Sequence, residues 1–122
     1  ISVLNNPPTA LDLNLSVSRI EVNHTLQVFA NGTDVEDAEA DLTPSLQYRA
    51  GSGEWENTFL TGCYYDTSSG RFVFNLTLPE NAPLGDYSFR VNFTDTDGGH
   101  SDFVYQNNAL HVVNNPPVVL DL

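Results

Sequence analysis

Residues 85–99 read Gly85-Asp86-Tyr87-Ser88-Phe89-Arg90-Val91-Asn92-Phe93-Thr94-Asp95-Thr96-Asp97-Gly98-Gly99, and this stretch decides the fold. Tyr87, Phe89, Val91 and Phe93 alternate with Ser88, Arg90, Asn92 and Thr94. A period of two turns one set toward a dry core and the other toward water, which is the mark of a β-strand with one buried face. The run then stops at Asp97-Gly98-Gly99, a turn signal.

The same alternation recurs outward from this point. Phe72, Phe74, Leu76 and Leu78 form one set, Leu26, Val28 and Ala30 another, and Leu11, Leu13, Leu15 and Val17 a third. Polar turns separate the runs at 31–34, 51–53, 68–70 and 79–85, and no window sustains a 3.6-residue period. Strands are expected at 9–17, 24–31, 44–50, 55–60, 62–66, 71–78 and 86–94, with a last one near 102–113. Short strands and polar turns in this number predict an all-β, immunoglobulin-like antiparallel β-sandwich of about seven strands. Tyr87, two residues after Gly85, fits a tyrosine corner.

The 85–99 stretch resembles the closing hairpin of polycystic-kidney-disease (PKD) domains, with a Tyr-led strand followed by Thr-Asp-x-Asp-Gly. The Asn-Asn-Pro-Pro opening also resembles the start of such domains in archaeal and bacterial surface proteins. The family's central Trp-Asp-Phe-Gly-Asp-Gly motif is absent, and Tyr48 to Trp55 is the nearest stretch. A related fibronectin-III-like surface repeat fits equally. Either resemblance implies a secreted, multi-domain, non-enzymatic setting.

The two ends of the chain repeat each other. Residues 1–13, ISVLNNPPTALDL, and 110–122, LHVVNNPPVVLDL, agree at eight of thirteen positions, with an offset of 109. A tandem array with that period is the simplest account. Residues 1–8 are then the end of a preceding repeat and its linker, 9–113 one sandwich, and 114–122 a linker and the first strand of the next. The chain, which lacks Met, reads as a piece of a longer protein. Paired prolines without a Gly or Ser run make the joint a semi-rigid spacer.

Composition narrows the chemistry. Sixteen Asp and Glu face four Arg and no Lys, a net charge of −12. That balance argues against nucleic acid and against insertion into or onto an anionic membrane. Lysine-based chemistry is excluded, and one Cys excludes an internal disulfide or a Cys-rich zinc site. No apolar run approaches a membrane span, and the first residues given do not read as a signal peptide.

Half of the carboxylates fall in two loops, Asp34 to Asp41 and Asp95 to Asp102. In the immunoglobulin arrangement the B–C, D–E and F–G loops gather at one end, where the linker arrives. Asp34, Glu36, Asp37, Asp95, Asp97 and Asp102 are therefore candidate Ca²⁺ ligands, because this ion takes six to eight oxygens from flexible loops. Asn5 and Asn6 of the linker are candidate carbonyl donors. The alternative is a solvated acidic face.

Five sequons occur, at Asn14, Asn23, Asn31, Asn75 and Asn92, where chance gives about two. All five fall on the outward parity of the expected strands, so N-linked glycans are expected, with a plain polar strand face as the alternative. Cys63 is expected to be a small buried hydrophobe or, outside the cell, half of an intermolecular disulfide. Trp55, Phe59, Tyr64 and Tyr65 are either core residues or a sugar-stacking platform. His24, His100 and His111 fall on different elements, and no catalytic constellation follows from spacing.

The sequence thus leads to a non-enzymatic, glycosylated structural repeat of an extracellular surface or filament protein: a stalk, surface layer or pilus-like fibre. Its expected partners are neighbouring repeats, identical subunits, and glycans or other surface proteins. A carbohydrate-binding or accessory module of a secreted enzyme is the alternative.

Overall fold

A computed structural model describes residues 6–57 and 60–114. Residues 1–5 of the expected preceding segment 1–8, residues 115–122 of the expected next linker and strand, and Phe59 lie outside the described residues. The strands are β1 (Thr9–Leu15), β2 (Arg19–Glu21), β3 (Thr25–Thr33), β4 (Thr43–Ala50), β5 (Glu56–Asn57), β6 (Leu60–Asp66), β7 (Arg71–Thr77), β8 (Gly85–Thr94) and β9 (Val104–Val113). A single 3-10 turn, Glu39–Asp41, interrupts the loop between β3 and β4.

Two sheets result, β1-β3-β7-β6 and β2-β9-β8-β4-β5. The pairings are antiparallel except β2 with β9, which is parallel. This is an all-β sandwich with immunoglobulin-like connectivity: β1, β3, β7 and β6 take the A, B, E and D places, and β4, β8 and β9 take C, F and G.

Two local features distinguish these strands from the expected runs, and the first of them adds a strand. The expected strand 9–17 leaves its sheet after Leu15, where Ser16 donates its N–H to Gln27 and accepts the Gln27 N–H on its hydroxyl. The chain then crosses to the other sheet as β2. Within the expected strand 55–60, the described residues form the two-residue β5 and, at Leu60, the start of β6.

The core is the alternating set read from the sequence. Tyr87, Phe89, Val91 and Phe93 are buried, as are Phe72, Phe74, Leu76, Leu26, Val28 and Ala30. The first strand departs from the expectation. A register shift between Ala10 and Asp12 turns Leu11 outward to 51% exposure, and the sheet crossing leaves Val17 at 41%. Of the four alternating residues there, Leu13 alone is fully buried. A bulge inserts one residue and so moves every later side chain to the other face.

Strand pairing fixes where the chain arrives and leaves. Thr9 pairs with Thr33, at the same end as the loop after β8. Val112 pairs with Gly85 and Val113 with Glu21, at the opposite end. The chain therefore enters the sandwich at one pole and exits at the other.

Tyr87 closes the outgoing pole. Its hydroxyl donates to the Pro83 carbonyl at 2.7 Å, and its ring stacks on Tyr48 with centroids 5.6 Å apart. This is the geometry of a tyrosine corner. Burial, and then the neighbouring Tyr48, push the Tyr87 phenol up to about 12. The native state therefore holds this proton longer than the unfolded chain, whose tyrosines ionise near pH 10. The stabilisation is complete below pH 10 and is lost as pH rises toward 12. Urea midpoints measured from pH 8 to 12 should fall steeply above 10. In Tyr87→Phe the alkaline fall should be shallower, and an equally steep fall would rule Tyr87 out as its source.

Candidate functional site

The incoming pole is built where two strands of opposite sheets end. β3 stops at Thr33 and β8 at Thr94, so Asp34 and Asp95 follow directly and face each other across the sandwich. Asp37 arrives from the loop after β3. Carboxylate oxygens of Asp34, Asp37 and Asp95 all lie within 4.8 Å of one another.

Hydrogen bonds hold each of the three in place. The Asp34 Oδ1 accepts the N–H groups of Glu36 at 2.8 Å and Asp37 at 3.1 Å. Its Oδ2 is buried and has no hydrogen-bond partner. Asp37 accepts the Thr96 N–H at 3.0 Å and the Thr96 hydroxyl at 2.9 Å, which latches the two loops together. Asp95, only 5% exposed, accepts the N–H groups of Gly99 at 2.7 Å and Asp97 at 3.0 Å. Gly98 permits that tight turn with a φ of 90°.

The three remaining candidate ligands are not in the triad. Glu36 is turned toward the arriving segment, where it accepts the Asn6 N–H at 2.8 Å and the Asn6 side-chain amide at 3.3 Å. Asp97 and Asp102 are exposed. Asn6 thus meets the loop as a donor to Glu36, and Asn5 lies outside the described residues. The triad is all oxygen, with no nitrogen or sulfur in it, which is the donor chemistry of a hard cation such as Ca²⁺. A buried carboxylate oxygen without a donor fits such an ion, since three converging anions repel one another unless something neutralises them.

Two other acids at this pole act within the fold. Glu39 accepts the Gly32 N–H at 2.8 Å and the Tyr65 hydroxyl at 2.9 Å, tying β3 to β6. This hydrogen bond, with the charge of Glu39, raises the Tyr65 phenol. Asp66 accepts from the Ser69 hydroxyl at 2.8 Å and from the Ser68 N–H at 3.1 Å, which lowers its carboxyl below the ordinary range. The role of Glu39 depends on partners 7 and 26 residues away, which sequence spacing does not reveal.

Among the sequon asparagines, Asn14 and Asn23 are exposed, and Asn31, Asn75 and Asn92 are half-buried on strand faces. The Asn31 amide nitrogen donates to the Gly70 carbonyl, and the Asn75 oxygen accepts from Gln27. Asn23 holds a positive φ of 67° in the turn before β3.

The histidines do not converge: His100 meets Thr94 at the incoming pole, whereas His111 lies beside Asp86 at 3.0 Å at the other end. Cys63 is exposed on β6, an edge strand, where an edge position leaves its side open. Of the central aromatics read as either core or a stacking platform, Trp55 and Tyr65 lie against different sheets. Tyr65 packs edge-on against Phe72 in the first sheet, while Trp55 lies against Tyr105 in the second.

No protein-family model matches the chain, and no curated protein sequence matches it.

Proposed function

We propose that this chain is a spacing unit of an extracellular tandem array, a non-enzymatic stalk, surface layer or filament, with Ca²⁺ bound at its joints. The observation that carries this reading is the placement of the two chain ends at opposite poles, with the incoming Asn6 clasped by Glu36 beside the acidic triad. Units joined in this way extend in a line, and the 109-residue repeat of the terminal motif supplies the connection. Asp34, Asp37 and Asp95 would hold the ion, which would neutralise the loops and fix the pole against the linker. Partners are then the neighbouring repeats and identical subunits, and N-linked glycans on the outward asparagines would face the surroundings. The PKD-like closing hairpin supports the same cell-surface setting.

Residues 114–117 repeat residues 5–8, so two copies of 5–113 fused in series recreate the natural junction. Small-angle X-ray scattering of this two-unit chain in calcium should give a maximum dimension close to double that of one unit. Chelator should broaden the distance distribution. A distribution that is broad and unchanged in both conditions would overturn the array reading.

A further inference from the structure

The outer face of the second sheet gathers half of the molecule's few cations around one aromatic cluster. Two of the four arginines, Arg49 on β4 and Arg90 on β8, converge there on one indole. The Arg49 guanidinium carbon lies 4.8 Å from the centroid of Trp55, and that of Arg90 lies 4.5 Å from the same ring. Arg90 also lies 4.1 Å from the Phe103 ring. Tyr105, the ladder partner of Arg90 on β9, is 47% exposed and touches both rings, at 5.7 Å from Trp55 and 6.1 Å from Phe103.

Sixteen carboxylates surround these arginines in sequence, yet among the described residues none forms an ion pair with either. Arg90 uses its Nε on Gln47 at 2.7 Å, and the Arg49 Nε is buried without a hydrogen-bond partner. A guanidinium stacked on aromatic rings is covered on its π faces. Its edge keeps N–H donors, and this fork matches a planar oxyanion. The rings beside it offer flat apolar surface to a stacked partner.

The geometry points to a binding face for an acidic saccharide: a uronic-acid carboxylate on the Arg49 and Arg90 donors, with a pyranose ring against Tyr105. Charge favours a short saccharide over an acidic protein surface. A second copy of this chain would bring its own −12 toward −12, whereas an oligosaccharide brings only a few charges. The inference is independent of the array and of calcium.

Trp55 is the single tryptophan, so its fluorescence reports on this face directly. The full chain, in chelator and low salt, should show saturable change with oligogalacturonate, weakened at least tenfold by 0.5 M salt, roughly as screening demands. A neutral galactose oligomer should give no saturable change. Arg49→Gln and Arg90→Gln should each weaken binding about tenfold or more, Tyr105→Ala should weaken it as well by removing the ring under the pyranose, and urea midpoints confirm that each variant folds. A sulfated oligosaccharide binding more tightly than the galacturonate would overturn the carboxylate assignment. Equal or tighter response to a poly-glutamate peptide would give the face to acidic proteins instead. No saturable response, or full binding by folded Arg49→Gln and Arg90→Gln proteins, would overturn the site altogether.

Discussion

Phe93→Ala should lower the free energy of unfolding by about 3–5 kcal/mol, the usual cost of emptying an aromatic site in a rigid core. Phe93 has no exposed surface, and its ring lies 5.6 Å from that of Phe72 across the sandwich. Gly32→Ala probes the same spot from the other side. A Cβ on Gly32 would stand 2.8 Å from Cδ2 and 2.9 Å from Cγ of Phe93, closer than carbon atoms pack. The ring is held by its neighbours, so the added methyl should cost about 1–3 kcal/mol by overpacking. The double variant should lose clearly less than the sum, since removal of the ring makes room for the methyl. Urea midpoints of the four proteins close the cycle, and additivity within about 0.5 kcal/mol would show that the two residues do not oppose each other.

Calcium should raise the thermal midpoint of the native chain, and Asp34→Asn should abolish that rise. An ion at one hundred times its dissociation constant contributes about 2.7 kcal/mol, which at about 4 °C per kcal/mol in a domain of this size moves the midpoint by roughly 10–12 °C. Asparagine at 34 keeps an oxygen to accept the Glu36 and Asp37 N–H groups. It replaces the buried, unpartnered Oδ2 with an amide nitrogen that cannot bind a cation. In chelator the variant should therefore melt no lower than the native chain, because one of three crowded charges is gone. Calorimetric melts of both proteins, with calcium and with chelator, separate these terms. Native midpoints that do not respond to calcium would remove the metal centre.

The sandwich was legible because its central strands are two-sided in the simplest way. In β8 each inward residue is large and apolar and each outward one polar, and the structure buries that set. The edges were less legible, since their conformation is set by partners. Nothing local in Leu11 to Val17 announces the shift at Asp12 or the crossing at Ser16, which depend on registry with β3. Another irregularity lies in β9, where Asn108 takes a φ of 52° and donates its N–H to the buried Ser88 hydroxyl. The loop arrangement located the acidic pole, but the six candidate ligands in its two loops could not be ranked on paper. Selecting Asp34, Asp37 and Asp95 requires knowing that β3 and β8 end side by side. The arginine–aromatic face was hidden for the same reason, because Trp55, Arg90 and Phe103 meet only through three-dimensional pairing.

The parallel contact between β2 and β9 bears on tension. Arg19, Ile20 and Glu21 lie beside His111, Val112 and Val113, and the Ser18 and Val113 carbonyls accept flanking N–H groups from His111 and Val22. One of these strands is tethered toward the first pole, and the other runs out at the second. Pulling the chain lengthwise drags them past each other along their common axis, so the crosswise hydrogen bonds are loaded in shear together and not peeled apart singly.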